Sequence, residues 1–157
     1  MGTASLALRR YDLARKSYET AIALDPDYVL ALVNLGVTLS LMGHFIKAIT
    51  HYQAGLKIDP NDINFINAMG NALQSKGEYD AAIESYSKAI ALAPTCAEAH
   101  NNLGNASENQ GNLQAAVKSY TQALVYQPEN EATQNNLIRA RQQLGVTDSA
   151  KDRTDRP

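Results

Sequence analysis

The chain has 157 residues, of which 45% are hydrophobic, and its formal net charge at pH 7 is −2. This length and apolar content allow one continuous hydrophobic core, whereas the slight acidity argues against nucleic acid, whose phosphates require a clear excess of cations. No apolar run approaches the roughly 18 residues of a membrane-spanning helix, and the single cysteine fits a reducing compartment, so we expect a cytoplasmic protein without membrane or nucleic-acid partners.

Prolines recur along the chain at a fixed interval of 34 residues, at Pro26, Pro60, Pro94 and Pro128. Further residues keep the same phase: Gly36, Gly70 and Gly104; Gly43, Gly77 and Gly111; Ala14, Ala48, Ala82 and Ala116; Tyr18, Tyr52, Tyr86 and Tyr120. A constant period of this length predicts a repeat array, in which each unit is a helical hairpin that stacks on its neighbours.

The order of residues within one period resembles the tetratricopeptide repeat. One unit reads Leu32, Leu35-Gly36, Gly43, Ala48, Tyr52 and Pro60, and the pattern recurs twice more. The resemblance implies an all-α fold, a right-handed superhelical solenoid of antiparallel helix pairs. It also implies a concave groove that binds a protein or peptide.

The predicted elements follow from the proline positions. In chain order they are an incomplete N-terminal repeat at 1–28, complete repeats at 29–62, 63–96 and 97–130, a capping helix at 131–145 and a solvated, disordered tail at 146–157. In the repeat 97–130 we predict helices over 97–110 and 113–126, with Pro128 closing the second. Arg9 stands where the later units have a turn glycine.

Small residues are predicted to let the two helices of each hairpin approach closely. We expect Gly36 and Gly104 to face Ala48 and Ala116 within their hairpins. Close approach would then bury the tyrosine that recurs on each second helix, such as Tyr52.

The candidate binding site is a stripe of polar residues on the first helices of the repeats. Asparagine is a mediocre helix former, so its repeated placement on one helix face favours a functional explanation. A carboxamide both donates and accepts hydrogen bonds and therefore suits the backbone of an extended peptide. The residues predicted to bind peptide are Asn64, Asn67, Asn71, Asn101, Asn102, Asn105, Asn135 and Arg139.

The segment from His100 to Asn105 is similar to the asparagine-bearing repeats of O-linked N-acetylglucosamine transferase, although the similarity covers repeats only. The alternative is that these asparagines are solvated surface residues or bond to one another between repeats. Acidic C-terminal peptides are not expected as ligands, because Arg139 is the only cation on the stripe.

The first complete repeat carries apolar residues at the corresponding positions. This apolar patch consists of Leu30, Val33, Val37 and Leu41. The patch suits a hydrophobic side chain of a bound peptide, a neighbouring repeat, or self-association through the incomplete N-terminal unit.

No other residues suggest chemistry. The three histidines lack ligand partners at metal-binding spacing, so no metal site and no cofactor are predicted. An open surface of neutral amides supplies no acid, base or nucleophile, so we predict a non-catalytic scaffold or adaptor rather than an enzyme. The alternatives are a substrate-recruiting fragment of a larger enzyme, such as a glycosyltransferase, and a self-assembling structural module. RNA recognition is disfavoured because related RNA-binding arrays have a basic groove.

Overall fold

The computed structural model describes the backbone of residues 2–154 and the side chains of residues 9–145. This part of the chain forms eight α-helices and no strand, which confirms the predicted all-α solenoid of helix pairs. The helices are α1 (Gly2–Leu24), α2 (Val29–Leu41), α3 (Phe45–Ile58), α4 (Ile63–Lys76), α5 (Tyr79–Leu92), α6 (Ala97–Asn109), α7 (Leu113–Tyr126) and α8 (Glu131–Thr154).

The chain divides into two compact units, Met1–Ser85 and Tyr86–Pro157, and the division lies inside α5. Below these are called unit 1 and unit 2. Unit 1 contains α1 to α4, and unit 2 contains α6 to α8.

The turn within each hairpin depends on a left-handed glycine. Gly43, Gly77 and Gly111 have φ of 79°, 87° and 89°, a region in which residues with a Cβ are strained. Arg9 occupies the equivalent position 34 residues before Gly43, and there α1 continues as a single helix of 23 residues. The absence of a turn glycine explains why no turn interrupts α1.

The recurring tyrosines are the centre of the core, as predicted. Tyr52, Tyr86 and Tyr120 are each at most 1% exposed. The glycines on the first helices make room for these rings: a Cβ on Gly36 would overlap the ring of Tyr52, and one on Gly104 would overlap the ring of Tyr120. The residue that requires glycine at these positions is therefore the tyrosine rather than the predicted alanine.

Unit 1 has a further close contact between α3 and α4. The ring of Phe65 lies where a Cβ on Gly55 would have to be placed, and Phe65 also packs edge-on against Tyr52 at a ring-centroid distance of 6.5 Å. The next repeat has alanine at both equivalent positions, Ala89 and Ala99. A large residue in α4 is thus accommodated by a missing side chain in α3.

Helix α8 starts at Glu131, where the capping helix was predicted, and continues beyond the predicted end at Gly145 as far as Thr154. Residues 146–154, which the sequence assigned to a disordered tail, are therefore helical. Residues 155–157 of that predicted tail lie outside the described residues. Gly145 does not end α8. A proline shortly after the glycine would prevent the helix from continuing, and none occurs between Gly145 and Pro157.

Candidate functional site

In unit 2, polar side chains join α6 to α8 in a series of hydrogen bonds, which we call the α6–α8 ladder. Asn101 Oδ1 accepts from Thr133 Oγ1 at 3.1 Å and from Asn136 Nδ2 at 3.4 Å. The same Asn136 nitrogen donates to Asn105 Oδ1 at 3.2 Å. Since Asn101 and Asn105 are four residues apart, they lie one helical turn apart on the face of α6 that meets α8.

The ladder continues to an ion pair three residues further along α6. Arg139 donates from Nε to Glu108 Oε1 at 2.8 Å and from Nη2 to Glu108 Oε2 at 2.9 Å. This is the two-pronged geometry in which a guanidinium group binds a carboxylate most specifically. The Glu108 side chain is 12% exposed and that of Arg139 is 50% exposed.

Tyr120, from α7, connects the asparagines to this ion pair. Its hydroxyl group lies 2.7 Å from both Asn105 Oδ1 and Glu108 Oε2, so its one hydrogen is shared between two acceptors. Burial, with a further contribution from Glu108, raises the pKa of Tyr120 and keeps the hydroxyl protonated as a donor. The hydrogen bonds from Arg139 hold the pKa of Glu108 below its usual value.

On α6, the ladder engages the side-chain oxygen atoms of Asn101 and Asn105 but not their side-chain nitrogen atoms. Each Oδ1 of Asn101 and Asn105 accepts two hydrogen bonds, whereas neither Nδ2 donates one within the described part of unit 2. Both residues are half-buried. A carboxamide whose oxygen is occupied can still donate, so these positions offer hydrogen-bond donors.

The structure brings together four of the eight residues predicted to bind peptide. Asn101, Asn105 and Arg139 belong to the ladder, and the half-buried Asn102 lies beside Asn101 on α6. Asn135 is exposed on α8. Hydrogen bonds between asparagines of successive repeats were the alternative to ligand binding. Asn136 of α8 donates such bonds to Asn101 and Asn105.

The three predicted residues in unit 1 differ from one another in exposure. Asn64 and Asn71 are exposed on α4. Asn67 is 8% exposed, and among the described residues no group donates to its buried Oδ1. A peptide could reach this oxygen only if the packing around Asn67 changed.

The apolar patch lies on α2. Leu30, Val37 and Leu41 are 56%, 42% and 61% exposed. Val33 is half-buried and packs against the core of unit 1. Three of its four side chains therefore remain accessible.

Unit 1 also contains an open pocket of about 420 Å³ formed by α1, α2 and α3, with Arg15, Lys47 and His51 among its lining. Arg15 donates to Glu19 at 2.9 Å and to Asp12 at 3.5 Å, so its charge is already balanced. Burial lowers the pKa of His51, which favours the neutral ring. Most of the charge in this pocket is thus balanced internally, and the pocket is a weaker candidate than the ladder.

His100 and Gln134 have the same structural role one repeat apart. His100 Nε2 lies 2.9 Å from the carbonyl oxygen of Pro94, and Gln134 Nε2 donates to that of Pro128 at 2.6 Å. Because a carbonyl only accepts, His100 donates from Nε2. These bonds attach the start of a first helix to the turn before it.

The sequence placed Glu108 on the polar stripe but did not indicate its pairing with Arg139, and it did not indicate Tyr120 or Thr133 as members of the site. Glu108 and Arg139 are separated by 31 residues, one repeat less one helical turn, so their charges lie opposite each other on successive first helices. That offset was the available signal. No sequence pattern indicated that the hydroxyl of a core tyrosine would reach the same cluster.

Comparisons with known proteins agree with the repeat architecture. Profiles described as TPR repeat or tetratricopeptide repeat match residues 4–43 and 70–111, residues 97–130, residues 29–62 and residues 51–84. Together they cover well over half of the chain, and the chain belongs to the tetratricopeptide repeat family. Its repeats are those of a protein-interaction module.

Solved structures show the same fold. A crystal structure of MamA superposes with a TM-score of 0.79 at 24% identity, over 97% of this chain and 89% of that one. The first TPR of Spaghetti (RPAP3), bound to the HSP90 peptide SRMEEVD, has a TM-score of 0.71 at 25% identity, over 74% of this chain and 93% of that one. An NMR structure of the first TPR domain of human RPAP3 has a TM-score of 0.75 at 24% identity, over 79% of this chain and 98% of that one.

No sequence among curated proteins matches the chain. The matching profiles are all repeat profiles, with no catalytic domain among them. Among the residues that the structure describes, no helix combines the length and the apolar character that a membrane span requires.

Proposed function

We propose that this chain is a non-catalytic protein-interaction module that holds an extended peptide in a groove lined by the first helices of its repeats, and acts as a scaffold or adaptor in the cytoplasm. The observation that carries the proposal is the orientation of Asn101 and Asn105. Their oxygens are engaged within unit 2, so their nitrogens are left to donate to a ligand.

The arrangement favours a particular part of the ligand. A donor on Asn101 and another on Asn105, one turn apart on α6, match carbonyl oxygens of an extended backbone rather than its N–H groups. Backbone carbonyls occur in every peptide, so binding depends little on ligand sequence. The ladder contributes by fixing each amide in one orientation, which lowers the entropy lost on binding.

The residues of unit 1 have a different role in this proposal. Asn64 and Asn71 present exposed side chains on α4 of unit 1, and Asn135 presents one on α8 of unit 2. The HSP90 peptide bound to the first TPR of Spaghetti supports peptides as the ligand class, since that domain has a similar fold.

The test separates ligand binding from the ladder. Asn101→Asp/Asn105→Asp replaces each amide nitrogen with oxygen but keeps an oxygen for Thr133, Asn136 and Tyr120. Linear peptides selected from a displayed random library against the wild-type chain would be titrated against this variant. We expect binding to weaken about tenfold or more, since two donated hydrogen bonds are lost.

The matched control is Asn112→Asp/Asn130→Asp. Both residues accept a backbone N–H through Oδ1, from Ala115 at 3.1 Å and from Thr133 at 2.9 Å, and an aspartate preserves those bonds. It adds the same charge away from the ladder and should bind like wild type. Failure to select any peptide, or equal binding by both variants, would contradict the proposal.

A second candidate function rests on the apolar patch of α2. Its three exposed apolar side chains support self-association, because burying them removes apolar surface from water. Sedimentation over a range of concentrations would compare wild type with Leu30→Glu/Leu41→Glu. The control is Leu24→Glu, which changes an 84% exposed leucine of α1 outside the patch. A wild-type chain that is monomeric at all concentrations would remove this function.

A further inference from the structure

Arg139 is the cation of the proposed peptide-binding surface, and it is paired with Glu108. Two nitrogens of the guanidinium group donate to the two carboxylate oxygens of Glu108, at 2.8 and 2.9 Å. One of those oxygens also accepts from Tyr120. A carboxylate on a ligand would meet an Arg139 whose Nε–Nη2 edge is already filled and whose charge is already balanced.

Glu108 is well placed to compete with a ligand. It is 12% exposed, and its oxygens are held by groups on two other helices, so its orientation is set before any ligand arrives. Because it belongs to the same chain, its effective concentration at Arg139 exceeds that of a free peptide. A ligand carboxylate would have to displace it and leave a largely buried charge without its partner.

We propose that Glu108 is a specificity-determining residue that excludes carboxylate ligands from the α6–α8 surface by occupying Arg139. The inference rests on the proposed function, because it concerns what the same surface accepts. Neutral carbonyl groups are unaffected, since they bind to the amide donors of Asn101 and Asn105. The ligand class is accordingly an internal or neutral peptide segment rather than an acidic C-terminus.

A purely structural bridge between α6 and α8 makes a different prediction. The asparagines and Thr133 already join the two helices without the ion pair. If the pair were only structural, replacing Glu108 would change stability but would not change which peptides bind. If Glu108 blocks Arg139, its removal should create affinity for carboxylates that depends on Arg139.

The experiment uses two peptides and four variants at low ionic strength. The acidic probe is SRMEEVD with a free C-terminus, and the carboxylate-free probe is the amidated analogue SRMQQVN. The variants are Glu108→Gln, Arg139→Gln, the double variant with both changes, and the control Glu129→Gln in the exposed turn after α7. Gln at position 108 keeps an acceptor for Tyr120 and removes the charge.

We expect Glu108→Gln to bind the acidic probe about fivefold or more tightly than wild type does, because one charge-assisted contact is gained at a half-exposed site. The gain should disappear in the double variant. Arg139→Gln alone and Glu129→Gln should bind the acidic probe as wild type does. Fluorescence anisotropy gives the affinities, and thermal unfolding by circular dichroism verifies that each variant is folded.

Three results would overturn the inference: no gain in Glu108→Gln, a gain that persists without Arg139, or a wild-type chain that already binds the acidic probe through Arg139. Failure of all variants to bind either probe also counts as no gain. The proposed function is judged separately by the displayed library, so peptides selected there but no gain here would leave that function standing and reject the role of Glu108.

Discussion

Unit 1 and unit 2 are built from the same repeat, but the contacts that their first helices make with neighbouring helices differ in polarity. In unit 1, α4 places the ring of Phe65 over Gly55 and against Tyr52. In unit 2, α8 places Thr133 at the position equivalent to Phe65, and Thr133 donates to Asn101. One repeat position is thus an apolar contact in one unit and a hydrogen bond in the other.

This difference separates the positions that define the repeat from those to which the proposed function is assigned. The turn glycines, the prolines and the core tyrosines recur in both units and define the hairpin. The residues that distinguish the units face neighbouring helices and differ in polarity. Unit 1 is stabilised there by close apolar packing, and unit 2 by oriented polar groups, which are the groups proposed to bind a ligand.

The largest expected effect is at the contact between Phe65 and Gly55. Phe65→Ala should destabilise unit 1 by about 3–5 kcal/mol, because it leaves a cavity beside Tyr52. Gly55→Ala should also be destabilising, by about 1–3 kcal/mol, because its Cβ meets the Phe65 ring. Urea unfolding followed by circular dichroism measures both changes.

The double variant Gly55→Ala/Phe65→Ala sharpens this prediction. It recreates the alanine pair found at Ala89 and Ala99, so we expect it to be more stable than Phe65→Ala alone. A double variant whose losses simply add would show that the two residues are not coupled.

The next effect concerns the hydroxyl of Tyr120. Tyr120→Phe should destabilise unit 2 by about 1–2 kcal/mol, since Asn105 and the charged Glu108 lose a donor in a half-buried site. The control is Tyr126→Phe on the same helix, whose exposed hydroxyl accepts one bond from Gln122 at 3.1 Å. Equal losses of stability in the two variants would mean that the ladder gains nothing from Tyr120.

The two units should respond to acid over different pH ranges. A carboxyl with a lowered folded pKa stabilises the fold above its unfolded pKa, near 4.5 for Glu108, and this stability is lost as pH falls through the lower folded value. His51 of unit 1 also has a lowered pKa, so its contribution is present above about 6.5 and declines as pH falls below that value.

Chemical unfolding at a series of pH values tests this prediction with two variants. Glu108→Gln should flatten the dependence below pH 4.5, and His51→Gln should flatten it just below pH 6.5. A Glu108→Gln profile parallel to that of wild type throughout would contradict the assignment.

The smallest effect concerns the helix N-termini. In unit 1, Asp62 accepts the backbone N–H of Asn64 at 2.8 Å, so Asp62→Ala should cost about 1 kcal/mol. In unit 2, Cys96 is the N-cap residue of α6 and makes no side-chain cap bond, so Cys96→Asp should raise stability by about 0.5 kcal/mol. Thermal unfolding detects both, and a loss of stability in Cys96→Asp would show that the half-buried site does not tolerate the carboxylate.

Sequence reasoning located the hairpins because their determinants are local. A left-handed turn needs glycine, and helices end before proline, so α7 was predicted with its observed bounds, Leu113–Tyr126. It was less successful for α8, where Gly145 suggested an end that the helix passes through. A helix that is not closed by proline ends where its neighbours stop supporting it, and that point is harder to predict.

Part of the candidate site could also be predicted. The stripe of asparagines on α6 follows from helical spacing, and Asn101 and Asn105 do lie on one face. The burial of Asn67 could not be predicted, because its exposed neighbours Asn64 and Asn71 belong to the same residue type and the same helix. Their side chains differ only in where they project from α4.

By itself, the sequence determined the repeat, its family, the helix pairs and the core tyrosines, because period, turn glycines and prolines act through the local backbone. Only the tertiary structure decided which atoms of the polar stripe are occupied. Asn101 Oδ1 is engaged by α8, and Glu108 is bonded by Arg139 from a helix one repeat away and by Tyr120 from the core. Hydrogen bonds between helices depend on distances and directions that a periodic pattern does not encode.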